Sequence, residues 1–188
     1  MFVAMLMTSP LDSKDLFKGP SITGAIATLL SILGASRLNT FCVSVLYRIR
    51  STVDIPGEIA RIQWIASVMT MRARVRWAIP AVEAFVEELV FRGGIFLDLS
   101  SAGAPCAVAA IASSLLSCAG QVVLLSTPVQ IYIMASASLT LGIVGYLLVT
   151  TMGNLIPTLL LHTSFAAYYT NMSTSAVDQA AHFRGGQS

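Results

Sequence analysis

Charge is what this chain has least of. Only 11% of its residues are Asp, Glu, Lys or Arg, where a soluble domain carries about a quarter. With 55% hydrophobic residues and a mean hydropathy of +0.77, that deficit excludes an ordinary water-soluble core. It implies an integral membrane protein of one domain, with lipid in place of water over much of the surface. Histidine is nearly absent: there are two, His162 and His182. With no HExxH and too few ligands for a three-ligand zinc site, metal catalysis is not expected, and no motif calls for a cofactor. Cysteine is scarce as well. Cys42, Cys106 and Cys118 form no CxxC, which argues against a disulfide framework or a zinc knuckle; small buried hydrophobes are the simpler reading. No internal repeat is found.

Other absences narrow the field further. Met1 to Met7 is apolar but lacks a basic start and a small-residue cleavage site, so no cleaved signal peptide is expected. The C-terminus has no Cys four residues from its end, so the chain is not itself expected to be prenylated. Six of the eleven basic residues (Arg48, Arg50, Arg61, Arg72, Arg74 and Arg76) fall in one stretch, opposed only by Asp54 and Glu58. Trp64 is the one aromatic among them, and apolar segments flank them, so nucleic acid is not the expected partner. The placement fits a cytoplasmic connection held against anionic lipid.

What remains is an all-α pattern of four to five membrane helices. A span needs about 20 apolar residues. A first run covers Ser21 to Ala35, and whether it continues past Arg37 to about Tyr47 is left open by that charge. Asp54 to Arg76 reads as a basic amphipathic segment in the membrane interface, with Ile55, Ile59, Ile62, Ile65 and Val68 near helical spacing. Trp77 to Leu99 is the second long segment, with Pro80 in its first turn, where the missing N–H is harmless. Cys106 to Leu125, Pro128 to Thr150 and Leu155 to Tyr169 follow. The last three are rich in Gly, Ala, Ser and Thr, which allow close helix packing in a membrane. Trp64, Trp77, Tyr168 and Tyr169 read as interfacial anchors. The organisation expected is a segment over 1–20, a first helix and basic segment over 21–76, a polar-centred bundle over 77–170 and a polar, frayed tail over 171–188.

Within that bundle Glu87-Glu88-Leu89-Val90-Phe91-Arg92 stands out. A charge at the bilayer centre costs about 2.5–3.5 kcal/mol on insertion scales, so such residues face a protein interior or a wet cavity. Glu83 and Glu87 share one helical face, and Glu88 and Arg92 the next, in the favourable order for an ion pair. The simplest division makes Glu88–Arg92 structural and leaves Glu87 as a less compensated carboxylate suited to general-base work. A purely stabilising polar lock fits the same spacing equally well.

Glu87-Glu88-x-x-x-Arg92-Gly93 resembles the first motif of the CAAX-processing and bacteriocin-processing intramembrane proteases, the type II CAAX prenyl endopeptidases. Gly145-Tyr146, the Gly153-Asn154 turn and Leu161-His162 resemble the surroundings of its third motif, and the resemblance spans Trp77 to Tyr169. It implies a helix bundle that hydrolyses membrane-tethered polypeptides, including prenylated C-termini where the cell makes them. By that resemblance Glu87 is the base, Glu88 and Arg92 shape its field, and His162 donates to the oxyanion. Two positions depart. Gln121, in Ser117-Cys118-Ala119-Gly120-Gln121, stands where the second motif has a catalytic His, and Ala166 stands where the third has Asn or Asp. Gln cannot exchange a proton at neutral pH. A slow hydrolase, a non-catalytic scaffold or immunity-type homologue, and a charge relay built on Glu83, Glu87, Glu88 and Arg92 therefore all remain open. A Cys118–His162 thiol site is the weaker enzymatic alternative.

Overall fold

The computed structural model describes Phe17, Gly19 and residues 21–185, without the side chains at 73, 74, 77 and 171–185. The expectations for Met1 to Met7 and for the end of the chain lie outside the described residues, as do the side chains of Trp77 and His182. Among the described residues the structure is helical, with no strand.

Helix α1 (Ile22–Ile49) starts where Ser21 accepts a hydrogen bond from the Gly24 amide at 3.1 Å, satisfying one of the free N–H groups of the first turn. Arg37 does not interrupt it; the side chain is exposed on the helix surface. Leu29, Leu30 and Leu33 are each more than 60% exposed. A long apolar helix with such an outward face is one that lipid covers. Helix α7, by contrast, runs through the middle of the bundle. By length and composition α1 and α7 are the two described helices able to cross a membrane.

The basic amphipathic stretch is not one helix. It breaks into α2 (Ile55–Ala60) and α3 (Gln63–Met69), separated by an extended Ile62. Its stripe turns inward: Ile55, Ile59, Ile62 and Ile65 are at most 3% exposed and join the main core with Ile133, Leu161 and Phe165. Glu58 fixes the docking, since its Oε2 accepts from the Thr127 hydroxyl at 2.9 Å and its backbone carbonyl accepts from Gln130 Nε2 at 3.1 Å. These polar ties to the next long helix are invisible to a local hydrophobic period, which explains the break.

Helix α4 (Ala73–Glu88) begins earlier than expected, so Pro80 lies inside it and not in its first turn. It continues without a break into a π-helical segment (Leu89–Phe96) and then α5 (Leu97–Ser101). The buried pair Gly93-Gly94 lies in the π segment, and the Ser113 hydroxyl donates to the Phe91 carbonyl at 2.5 Å. π turns displace main-chain bonds, and a side-chain donor from a neighbour meets a carbonyl left by such a shift.

Helix α6 (Cys106–Val122) packs along α7 (Pro128–Met152) more extensively than any other pair. A Cβ on Gly142 would run into the Ser114 side chain and come within 3.3 Å of its Cα, so glycine permits this approach. Gly153 then ends α7 at φ +68°, a left-handed cap that glycine adopts without strain. Helix α8 (Ile156–Gly185) is almost twice the expected length. No Gly or Pro occurs between Pro157 and Gly185, so nothing in the polar tail stops the helix once the apolar half has nucleated it. The last helix, expected to end near Tyr169, thus runs on to Gly185.

Candidate active site

The π segment, α4, α6 and α8 bring the polar side chains together. Glu88 and Arg92 are each 3% exposed, and His162 is 7% exposed. Arg92 Nη1 lies 3.2 Å from Glu88 Oε1, and its guanidinium passes over Gly145 of α7. On the other side of the same oxygen, His162 Nδ1 sits at 2.9 Å. Thr158, one turn earlier on α8, donates its hydroxyl to the Leu155 carbonyl at 2.8 Å. Glu88 Oε1 is therefore shared by a cation and an imidazole, while Oε2 is buried without a hydrogen-bond partner. The Glu88–Arg92 contact agrees with the helical spacing; the Glu88–His162 bond joins residues 74 apart and has no local signature.

Glu87 faces differently. Gln121 Nε2 donates to both of its oxygens, at 2.8 and 3.0 Å. A carboxylate only accepts, so the amide must turn its nitrogen to it. Gln121 thus orients Glu87 directly. Across from it, His162 Nε2 is 3.8 Å from Glu87 Oε2, too far for a hydrogen bond and suited to a bridging water.

These groups line a cavity of about 40 Å³. That is room for a few waters at most, since one needs about 10–15 Å³ of such volume. Glu87, Gln121 and His162 border it together, and Ala166 does too, with a methyl group where a polar side chain would reach the same space. Cys118 is buried on α6 and is not among the residues that line this cavity. Glu83 and Trp64 border both this cavity and a wider groove of about 740 Å³ between α3 and α4, whose walls include Ile62, Val68, Ile79 and Val82.

Two of the expected interfacial anchors prove to belong to the site. Trp64 is half-buried at the cavity, and Tyr169 is 6% exposed, its hydroxyl accepting from Asn39 Nδ2 of α1 at 2.8 Å. Tyr168 is exposed. Neither Trp64 nor Tyr169 was marked as a site residue by its sequence, because aromatic placement near a helix end reads the same for an anchor and for a cavity wall. No group of three or more metal-ligating side chains occurs among the described residues.

A partly exposed carboxylate thus stands beside a buried ionisable cluster within an apolar helix bundle. A family model described as type II CAAX prenyl endopeptidase Rce1-like matches residues 70–168, just over half of the chain. The chain belongs to that family, whose members are integral membrane proteins. No curated protein and no solved structure shows significant similarity to it.

Proposed function

We propose that this chain is a multi-pass membrane endopeptidase that hydrolyses membrane-tethered polypeptides, prenylated C-termini among them, with water activated at Glu87. The observation that carries the reading is the shared cavity. It seats a water-sized volume against Glu87 and His162 while Gln121 holds the carboxylate in place. The wider groove supports it, since Trp64 and Glu83 join an apolar trough of substrate size to the small wet chamber. Glu88 and Arg92 serve as the fixed electrostatic frame. The bilayer supplies the second partner, and residues 77–170 form the unit that carries the chemistry, with the basic stretch 48–76 on the cytoplasmic side.

A second reading has its own observation. Gln121 cannot move a proton and Ala166 offers no oxyanion donor, and each sits at the cavity. A positioned acid–base group contributes about 10² to 10⁴ in rate, and an oxyanion donor about 10² to 10³. A homologue that keeps the fold as a scaffold would show the same losses. Purified chain in liposomes, incubated with prenylated and unprenylated tethered peptides, separates the two. New peptide termini that depend on the intact Glu87 carboxylate support the hydrolase, and full-length peptides under every condition support the scaffold.

A further inference from the structure

The loss of the second-motif histidine leaves a vacancy in the proton chemistry, and the geometry shows what stands nearest to it. Glu88 Oε1 lies between the Arg92 guanidinium at 3.2 Å and His162 Nδ1 at 2.9 Å. Arginine stays protonated in proteins, and a carboxylate beside it is an acceptor. The hydrogen of this short contact must therefore sit on Nδ1. In a neutral imidazole that places the free lone pair on Nε2, the nitrogen directed at Glu87 across 3.8 Å. A lone pair accepts a proton; it does not donate to an oxyanion.

We infer that His162, fixed in its Nδ1–H form by Glu88, is the general base and acid of this site, taking the place that Gln121 has vacated. The inference rests on the hydrolase reading and deepens it. A water in the cavity gives one hydrogen bond to Glu87 Oε2 and the other to His162 Nε2. As its oxygen attacks the scissile carbonyl carbon, the second proton passes to Nε2. The imidazolium so formed has a carboxylate on each side, Glu88 at Nδ1 and Glu87 at Nε2. When the C–N bond breaks, Nε2 returns its proton to the leaving nitrogen. The sum is one peptide and one water in, one carboxylic acid and one amine out. Glu87 orients the water and stabilises the cation, and Glu88 is a positioning residue, in the manner of the third member of a nucleophile–histidine–carboxylate triad.

The ionisable groups facing His162 are Glu83, Glu87 and Glu88 of α4 and Arg92 of the π segment; the cavity walls from α6 and α7 are Gln121, Met134, Ala137, Ser138 and Leu141, all uncharged.

The chain's two histidines make the test direct. In full-length protein carrying His182→Asn and ¹⁵N-labelled histidine, in lipid nanodiscs, His162 is the only labelled ring. Its nitrogen shifts are expected to report the Nδ1–H tautomer at neutral pH, and its titration is expected to coincide with the acid limb of kcat. His162→Gln is expected to lower kcat by about 10² to 10⁴ with little change in KM. An Nε2–H tautomer, or a ring charged throughout, overturns the proposal and returns His162 to an oxyanion role. If the chain cleaves nothing while His162 holds the Nδ1–H tautomer, the hydrolase reading fails, and the catalytic role with it. If it cleaves while His162 carries Nε2–H, hydrolysis stands and this assignment alone falls.

Discussion

Glu87 and Glu88 are neighbours in sequence and stand in different media. Around Glu88 the centre of the bundle is closely packed: Arg92 and His162 share one oxygen, the other is buried without a hydrogen-bond partner, and the side chains of Glu88 and Arg92 are each 4% exposed. Around Glu87 it is wet and adjustable. That side chain is 18% exposed, is held by a neutral amide, and borders a cavity with room for water. The helix itself produces the split, because adjacent residues point about 100° apart. Burial alone thus does not mark the reactive carboxylate. The less buried one, with the weaker partner, is the one that can meet a substrate.

The comparison breaks most severely on the Glu88 side. Arg92→Ala leaves Glu88 as an unpaired buried charge, and loss of one partner of such a pair costs about 3–5 kcal/mol. Thermal unfolding in detergent should show it as a large drop in midpoint, while Glu87→Gln, an isosteric change beside water, should leave the midpoint almost unmoved. Similar destabilisation by both would erase the distinction between the halves. On the other side, Gln121→Ala removes the amide that orients Glu87, and water can replace its hydrogen bonds at that partly exposed carboxylate. The expected result is a fall in kcat of roughly tenfold or more with an unchanged unfolding midpoint.

Two smaller effects sharpen the role of the scaffold. Gly142→Ala forces a Cβ into Ser114, and overpacking of this kind costs about 1–3 kcal/mol; unfolding of α6 from α7 should move to lower denaturant. Ser113→Ala takes the hydroxyl from the Phe91 carbonyl, with an expected loss of about 0.5–1.5 kcal/mol. Amide hydrogen exchange over Leu89–Phe96 should rise in that variant and stay level over α7.

How much of this was legible depended on whether a residue's meaning was local. Glu87, Glu88 and Arg92 announced themselves as charges in an apolar run, and helical spacing alone paired Glu88 with Arg92. The left-handed stop at Gly153 was equally plain. The break at Ile62 was not, because it is set by Thr127 and Gln130 holding Glu58 from another helix. The bond from His162 to Glu88 and the one from Asn39 to Tyr169 span 74 and 130 residues, and no periodicity carries such information. The length of α8 was misread for a different reason: a polar composition suggested a tail, although nothing in it forbids a helix. Gln121 stood out in sequence only as a departure from a motif, and its bond to Glu87 required coordinates.

The account stands or falls on the carboxylate at position 87. Mass spectrometry of membrane-protein termini, in cells expressing the native chain or Glu87→Gln at matched levels, addresses it most directly. New termini that appear with the native chain and vanish with the variant are the expected result. The same termini from both proteins would contradict it.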